Sequence, residues 1–415
     1  MFSRVWLLLL AVGTFAIGTD GYVITGLLPE IGHDLGVSDG DAGQLITVFA
    51  LTYAIGAPLL AVAIGSWQRK PVLVTSLSVF SLSNACMILV HSYPEMMALR
   101  VLAALSAAAF TPAAAAAVPA LVPSDQRGRA LGTVSAGIAM STAIGVPLGT
   151  LVGGAFGWRT TFLAIAVFTA LSAAGLAIWL SPLGAAATAG VRARVAAGRA
   201  PGVPSALLVT MLWIAGAFTL LTYLSSVLAT LGGIHGGALS IWLAVYGVAA
   251  VSGNALGGRA ADRLPTSRLT VVSTGGLTIA LASFGLLGSL GARGATGAGW
   301  ALVGLVVWGI FGWSFAPIQQ HRLVELAPDS AGVVLSLNGS AIYLGISLGG
   351  FLGSIAIGRG GATAVGWTAT AIEVCATAAA LTLALRAGAR TRQEPAMPAP
   401  MPDVHDDEET STLKP

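Results

Sequence analysis

Residues 131–158 read LGTVSAGIAMSTAIGVPLGTLVGGAFGW, an apolar run in which a small residue recurs at every fourth position. The small residues are Gly137, Ser141, Gly145, Gly149 and Gly153. An apolar run of this length predicts a membrane-spanning helix. Because small side chains let helix backbones approach closely, the spacing also predicts tight packing against a neighbouring helix.

A second run, residues 331–356, repeats this pattern with Gly345, Gly349 and Gly353. Each run is followed by a Gly-Trp pair that opens the next apolar run, at 157–158 and 366–367. The paired pattern predicts an internal repeat of two equivalent units.

The composition indicates that the solvent of this chain is a lipid bilayer. Of 415 residues, 55% are hydrophobic and only 9% are charged, whereas soluble domains have about 25% charged residues. The net charge of +3 is small, and the basic residues are scattered among loops, so we expect no nucleic-acid partner. Cys86 and Cys375 lie inside apolar runs and are interpreted as small hydrophobic residues rather than a disulfide or metal site.

Apolar runs of about 17–25 residues predict twelve membrane spans. The first run resembles a signal peptide, but it continues through Leu28 without a cleavage site, so we predict a retained span. The predicted spans are 5–28, 44–66, 71–91, 95–121, 131–154, 159–180, 205–228, 238–259, 269–291, 298–320, 331–356 and 364–386.

The distribution of basic residues predicts the orientation. With a cytoplasmic N-terminus, sixteen of the twenty Lys and Arg residues fall on the inner side, and Arg100 lies within a span. Only Arg159, Arg293 and Arg359 fall on the outer side. This positive-inside bias places both termini in the cytoplasm of a bacterial cell, with the chain in the cytoplasmic (inner) membrane.

The chain divides into four predicted parts. Residues 1–180 form an N-terminal six-helix half, and residues 205–386 form a C-terminal six-helix half. Between them, 181–204 is a long basic segment with two prolines, which predicts a cytoplasmic linker. Residues 387–415 are rich in Pro and then acidic, so we expect a disordered cytoplasmic tail.

Three ionisable residues lie deep within the predicted spans, where such groups are rare and mark function. Asp20 lies roughly 12 Å, and Arg100 roughly 8 Å, from the outer ends of their helices at 1.5 Å per residue. These depths predict a direct or water-bridged pair that couples protons to substrate, or else a static ion pair that joins two helices. Glu373 is either a second protonation site or a neutral group bonded to a neighbouring helix.

Several other polar or aromatic side chains in the apolar runs either line an aqueous cavity and bind substrate or only join helices. The candidate substrate-binding residues are Tyr22, Tyr53, Asn84, Tyr223, Trp308, Gln319, Asn338 and Tyr343. All five histidines fall at loops or helix ends, and no phosphate-binding Walker loop occurs. We therefore expect no metal, no cofactor and no catalytic residue.

Four motifs support a family resemblance. They are Gly18–Ile24 followed by Leu27–Pro29, Ala98–Leu102 around Arg100, Gly145–Gly149, and Gly258–Arg263. The sequence resembles the major facilitator superfamily, and within it the bacterial twelve-helix drug–proton antiporter group, over about residues 5–386. The run Leu335–Gly345 is similar to a subgroup of sugar, purine-nucleoside and chloramphenicol exporters.

The resemblance implies roles for several residues. In that family the fourth-helix arginine is associated with proton coupling, and two cytoplasmic loops and a fifth-helix motif form gates. Gly65 departs from the first of these loops, because the family usually places Asp there. The implied gating residues are Arg69, Lys70, Pro147, Gly149, Gly258, Asp262 and Arg263.

The expected fold is an all-α polytopic membrane protein with twelve helices in two pseudo-symmetric halves, the major facilitator fold. The expected function is a proton-coupled antiporter that exports small organic molecules by alternating access, with the substrate, protons and the lipid bilayer as partners and a monomeric state. One alternative is a proton symporter that imports a sugar-like or nucleoside-like solute. A membrane enzyme would need a catalytic cluster, which the sequence lacks, and a non-transporting receptor or accessory subunit is the alternative from a different class.

Overall fold

A computed structural model describes residues 5–123, 126–184 and 190–393. Within these ranges the regular structure is entirely helical, because in a bilayer a helix satisfies its own backbone hydrogen bonds. We call α1–α7 the N-terminal group and α9–α14 the C-terminal group.

The N-terminal group has seven helices, with a short 3₁₀ turn (Met87–Leu89) after α3 and a π-helical segment (Ser141–Gly145) between α5 and α6. The helices are α1 (Val5–Leu35), α2 (Asp39–Ala63), α3 (Arg69–Cys86), α4 (Tyr93–Leu121), α5 (Arg127–Met140), α6 (Val146–Phe156) and α7 (Trp158–Trp179).

A short helix, α8 (Val191–Gly198), lies within the segment predicted as a linker and precedes the C-terminal group. The helices of that group are α9 (Val203–Leu221), α10 (Leu224–Gly232), α11 (Gly237–Ala261), α12 (Thr266–Ser289), α13 (Gly294–Leu326) and α14 (Ala331–Gln393).

The described chain contains eleven helical stretches that are long and apolar enough to cross a membrane. The last of them is interrupted at Gly360 and Gly361, where Gly361 has φ 61° and ψ −155°. Because this backbone conformation is open essentially only to glycine, α14 turns here and supplies two crossings. The prediction of twelve spans is thereby confirmed.

The observed helices are longer than several predicted spans. α1 continues to Leu35 rather than ending at 28, and α13 covers Gly294–Leu326 rather than 298–320. Polar turns at the membrane surface extend these helices beyond their apolar runs. α14 likewise continues through Gln393 into the segment predicted as a tail, and 394–415 lie outside the described residues.

The bundle has two ends. We call the end with residue 5 and the α2–α3 turn the proximal end, and the end with the α1–α2 turn at 36–38 the distal end. The two groups meet mainly where α2 contacts α14 and where the π-helical segment and α6 contact α11. At the second contact, a Cβ on Gly247 would lie 2.6 Å from Cα of Ala143, so the two backbones almost touch.

The glycine pattern at 137–153 packs against α1 as the sequence predicted. A Cβ on Gly149 would fall 2.6 Å from Cγ2 of Val23, and a Cβ on Gly153 would collide with Leu27. The equivalent glycines of α14 pack against α9, where a Cβ on Gly349 would collide with the carbonyl oxygen of Ala215. Both glycine runs therefore permit close helix approach, the first on α1 and the second on α9.

The charge bias predicts that the proximal end faces the cytoplasm. In a variant whose two native cysteines are replaced by Ala, we expect Thr296→Cys, exposed at the distal end, to react with an impermeant maleimide on intact cells. Ser181→Cys, exposed at the proximal end, should react only after permeabilisation. The reverse labelling pattern would show that the orientation is inverted.

Candidate functional site

The structure brings Asp20 and Arg100 together in the interior of the N-terminal group. Nη1 of Arg100 donates to Oδ2 of Asp20 at 2.8 Å, and neither side chain has exposed surface. α1 supplies the carboxylate and α4 supplies the guanidinium. The direct contact between these two residues, one of the arrangements predicted from their depths, is confirmed.

The guanidinium also contacts α2. Its Nε donates to the backbone oxygen of Leu45 at 3.5 Å, and its central carbon lies 4.4 Å from the centre of the Phe49 ring. The ring face attracts the cation and covers it with an apolar surface. Arg100 therefore joins three helices, α1, α2 and α4.

The hydrogen-bonding groups of the Asp20–Arg100 pair are not all satisfied. Oδ1 of Asp20 and Nη2 of Arg100 are buried without a hydrogen-bond partner among the described residues. A buried charged pair is stable only if its remaining donors and acceptors are satisfied. These two atoms are therefore available to water, a proton or a ligand when the site opens.

A tyrosine cluster lies beside this pair. Tyr53 of α2 and Tyr343 of α14 stack with ring centres 3.7 Å apart, so they connect the two groups across the interface. Tyr343 also lies near Asp20 and Tyr22 of α1. The structure thus brings three of the predicted substrate-binding residues close to the ion pair.

Between the two groups lies a small cavity with room for about one water molecule. Its walls come from α1, the π-helical segment, α6, α9, α11 and α13, and none of its lining residues is charged. The lining residues are Tyr22, Thr25, Thr142, Val146, Phe218, Leu221, Leu243, Tyr246 and Trp313.

The cavity combines aromatic walls with hydroxyl groups. Nε1 of Trp313 donates to the hydroxyl of Tyr246 at 2.9 Å, which holds both rings in place. The hydroxyls of Thr25 and Thr142 are buried without a partner among the described residues. A ligand that enters here would meet aromatic faces and two hydroxyls able to donate or accept hydrogen bonds.

The π-helical segment aims Thr142 at this cavity. The amide of Val146 donates to the carbonyl of Ser141, five residues earlier, and the α-helix resumes at Val146. A π turn inserts one residue into the α-helical repeat and is frequent at functional sites. Sequence reasoning missed Thr25, Thr142, Tyr246 and the π turn. The available signal was Pro147, which has no backbone N–H and so interrupts α-helical hydrogen bonding.

Tyr223 lies not in the cavity but at the distal contact between the groups. It follows the end of α9, is fully buried, and its hydroxyl donates to the carbonyl of Gly350 at 3.1 Å. The ring also lies against Gly43 of α2, where any Cβ would collide with it. Nearby, Ser226 of α10 donates to a carboxylate oxygen of Asp39 at 2.5 Å. These contacts close the distal end.

Each remaining predicted substrate-binding residue lies inside a single group of helices. Asn84 belongs to the N-terminal group, and the C-terminal group contains Trp308, Gln319 and Asn338. Asn84 donates to Phe80 of its own helix at 3.0 Å, and Trp308 is buried between Tyr246 and Phe284. Nε2 of Gln319 donates to the hydroxyl of Thr210, which donates in turn to Oδ1 of Asn338. The structure therefore shows a helix-to-helix bonding role for the last two, and their contact with substrate stays a prediction.

The predicted gating residues fall into two classes. Pro147 and Gly149 lie in α6 against α1, whereas the others lie at or near the proximal end. There Arg69 and Lys70 begin α3, and Gly258, Asp262 and Arg263 surround the end of α11. Asp262 and Arg263 are exposed, and their gating role stays a prediction.

A groove of about 690 Å³, which includes space open to solvent, lies at the proximal end between α2, α3 and α4 of the N-terminal group. Arg69 and Arg194 are among the residues that line it. No atom lies within 4 Å of a Cβ placed on Gly132 of α5 or on Gly339 of α14. The contact of Tyr223 with Gly43 thus closes the distal end between the groups, whereas the proximal groove lies within the N-terminal group.

Glu373, the third deep ionisable residue, lies apart from this site. It is fully buried in the second crossing of α14 and packs against Gly216 of α9, within the C-terminal group. The structure therefore does not bring it together with Asp20 and Arg100.

The fold and the buried polar site are those of a membrane transporter with a central site between two helical groups. Residues 10–350 match the family model of the Major Facilitator Superfamily, and the chain belongs to this family. It is accordingly a transport protein rather than an enzyme.

Individual proteins give the same result. The chain is 32% identical to the inner membrane transport protein YdhP of Escherichia coli (strain K12), with 85% of this chain and 89% of the relative covered. It is 38% identical to a chloramphenicol resistance protein of Streptomyces lividans, over 64% of this chain and 69% of the relative. A bacterial homolog of the human lysosomal transporter Spinster has the same fold, with a TM-score of 0.76 at 19% identity over 94% of this chain and 98% of that one.

The distal contact around Tyr223 yields a prediction. Gly43→Ala places a methyl group against the buried Tyr223 ring, so the distal end should close less completely and transport should slow. Gly132→Ala is the control, because nothing lies within 4 Å of its added methyl group. Spin-label distances across the distal end should lengthen in Gly43→Ala alone. Unchanged distances in that variant would remove Tyr223 from the closure.

Proposed function

We propose that this protein is a proton-coupled antiporter that exports small organic molecules across the cytoplasmic membrane. The observation that carries this proposal is the Asp20–Arg100 pair, which is fully buried and leaves one atom of each partner unsatisfied. A buried carboxylate can take up a proton, and its partner cation makes that uptake depend on what else approaches.

Protonation would release the two residues from each other. When a proton binds Asp20, the carboxyl group becomes neutral and its attraction for Arg100 falls. When the proton leaves, the ion pair re-forms and pulls α1 and α4 together. Tyr22 lines the cavity and lies near Tyr343 of the tyrosine cluster, so we infer that substrate in the cavity acts on the pair through these rings.

Alternating access explains how this coupling moves substrate. In our proposal, residues 1–180 and 205–386 are two halves joined by the 181–204 linker, and they rock about the central cavity. The contact between Tyr223 and Gly43 closes the distal end, so in our proposal this state accepts substrate from the proximal side. With the proximal end in the cytoplasm, loading from this side is the start of export.

The cavity favours an uncharged substrate with an aromatic or apolar body. Its walls are Tyr22, Phe218, Tyr246 and Trp313, and the unpartnered hydroxyls are those of Thr25 and Thr142. A charged ligand would find no counter-charge among the lining residues, whereas a flat neutral ligand would stack on the rings and bond the hydroxyls. The similarity to a chloramphenicol resistance protein is compatible with this class of substrate.

Inward symport is the second candidate, because alternating access can run in either direction. The relative YdhP is named an inner membrane transport protein, which supports the location but not the direction. Flux in vesicles of known orientation, with an imposed proton gradient, distinguishes the two. We also propose that the monomer is the working unit, since the cavity is built from one chain.

Asp20→Asn tests the proton site. We expect the variant to lose gradient-driven flux and to keep substrate exchange without a gradient, because an amide cannot take up a proton. Arg100→Lys should also fail, since an ammonium group cannot reproduce the guanidinium contacts with Asp20 and Leu45. The measurement is pH-gradient-driven transport in proteoliposomes.

The double variant supplies the control for this test. Arg100→Met alone leaves a buried, unpaired acid, and breaking such a pair costs about 3–5 kcal/mol of folding free energy. Asp20→Asn combined with Arg100→Met should be more stable than Arg100→Met alone, since no unpaired charge remains. Full gradient-driven activity in Asp20→Asn would show that the pair is structural and would end the proton-site proposal.

Thr142→Val tests the cavity. If the Thr142 hydroxyl bonds substrate, its loss should weaken binding by roughly 0.5–1.5 kcal/mol, or about two- to tenfold, without lowering thermal stability. Thr150→Val is the matched control, because its hydroxyl is equally unpartnered among the described residues but does not line the cavity. Equal effects of the two substitutions on substrate affinity would remove Thr142 from the site.

A further inference from the structure

Glu373 is a buried acid that the coupling proposed above does not use. Its side chain has no exposed surface, and both carboxyl oxygens lack a hydrogen-bond partner among the described residues. The neighbouring helix α9 presents Gly216 to it, so that a Cβ there would lie 2.6 Å from Oε2 of Glu373. The carboxyl group is thus enclosed between α14 and a glycine.

The helices around Glu373 bring no charge to it. α9 has no titratable side chain. α12 has only Arg268, ten residues from the Thr278 that bonds Thr377, which is about 15 Å along the helix. On α13 the ionisable residues His321, Arg322 and Glu325 are at the proximal end.

α14 itself offers no partner either. Arg359 and Arg386 are fourteen and thirteen residues from Glu373 along the chain, so each is about 20 Å away. Tyr343 stacks on Tyr53 at the interface between the groups, and Cys375 is exposed on another side of the helix. Among the described residues, neither carboxyl oxygen of Glu373 has a hydrogen-bond partner.

We propose that Glu373 is a second proton-binding site of the transporter, separate from the Asp20–Arg100 pair. An ionised carboxylate that is buried without a counter-charge or hydrogen bond is strongly unstable. In the conformation described here, Glu373 therefore holds a proton and is a neutral carboxylic acid. The ligand of this site is a proton rather than a cationic substrate, because the space next to it is occupied by Gly216.

The packing supplies a way to release that proton. α9 ends at Leu221, two residues before Tyr223, whose ring takes part in the distal closure. When the distal end opens, Tyr223 leaves Gly43 of α2, and the proposal adds a local shift of α9 against α14 within the C-terminal group. Because Gly216 has no side chain to keep the carboxyl covered, this movement admits water. The proton passes to that water as hydronium, and a hydronium ion restores it when the distal end closes again.

Infrared spectroscopy of the purified protein tests the protonation state without requiring transport. We expect a carboxylic acid carbonyl band at neutral pH that is lost in Glu373→Gln and unchanged in Asp20→Asn. Glu30→Gln is the matched control, because Glu30 is an exposed carboxylate and its removal should leave the band intact. A band that survives in Glu373→Gln would show that Glu373 is ionised and would overturn the proposal.

The proton-to-substrate ratio in proteoliposomes tests whether the proton moves, and this part of the inference rests on the proposed function. We expect Glu373→Gln to transport with one proton fewer per substrate, as measured from the gradient that just stops net flux. An unchanged ratio together with a lost band would show a fixed neutral acid and would refute the exchangeable site. Failure of the antiport proposal is distinguishable, because it appears as the absence of pH-gradient-driven flux in the native protein while the infrared result is unaffected.

Should Glu373→Gln fail to fold, the native protein still decides the question. The assigned band should weaken when the distal end is trapped open, as in Gly43→Ala, and recover on acidification. If the intensity of the band changes under neither treatment, the proton is not exchangeable and the proposal is contradicted.

Discussion

The ion pair between Asp20 and Arg100 is the contact on which the arrangement of the N-terminal group depends. Neither charge has access to solvent, so each is tolerable only while the other is 2.8 Å away. The same guanidinium reaches the Leu45 carbonyl and the Phe49 ring. Three helices are therefore held in one register by a single side chain, in an environment where apolar contacts alone discriminate poorly between helix rotations.

The C-terminal group has an equivalent glycine pattern, but its buried polar side chains are arranged differently. Its deep polar residues are neutral, with Gln319, Thr210 and Asn338 bonded in a chain between α9, α13 and α14. Glu373 has no counterpart of Arg100 beside it. Two groups with similar backbone packing thus differ in charge, because one holds a buried ion pair and the other a buried acid with no partner among the described residues.

The sequence predicted those features that depend on composition and depth. Apolar length predicted the twelve spans, and similar depths predicted the contact between Asp20 and Arg100. The sequence did not predict features that depend on helix rotation, because a membrane helix is apolar both where it faces lipid and where it faces protein. Tyr223 therefore looked like a cavity residue although it packs against Gly43, and Thr142 was missed because a π turn sets its direction.

That π turn has a consequence for the glycine run that it interrupts. Residues four apart in an α-helix differ by about 40° in direction, at 3.6 residues per turn, so an evenly spaced run gradually winds away from a straight partner. From Gly137 to Gly153, four such steps would add up to about 160°. The extra residue of the π turn takes back about 100° of this rotation, at one residue of helical twist. Both of these glycines accordingly meet α1. One irregular turn thus keeps an evenly spaced run of glycines aligned along the full length of its neighbour.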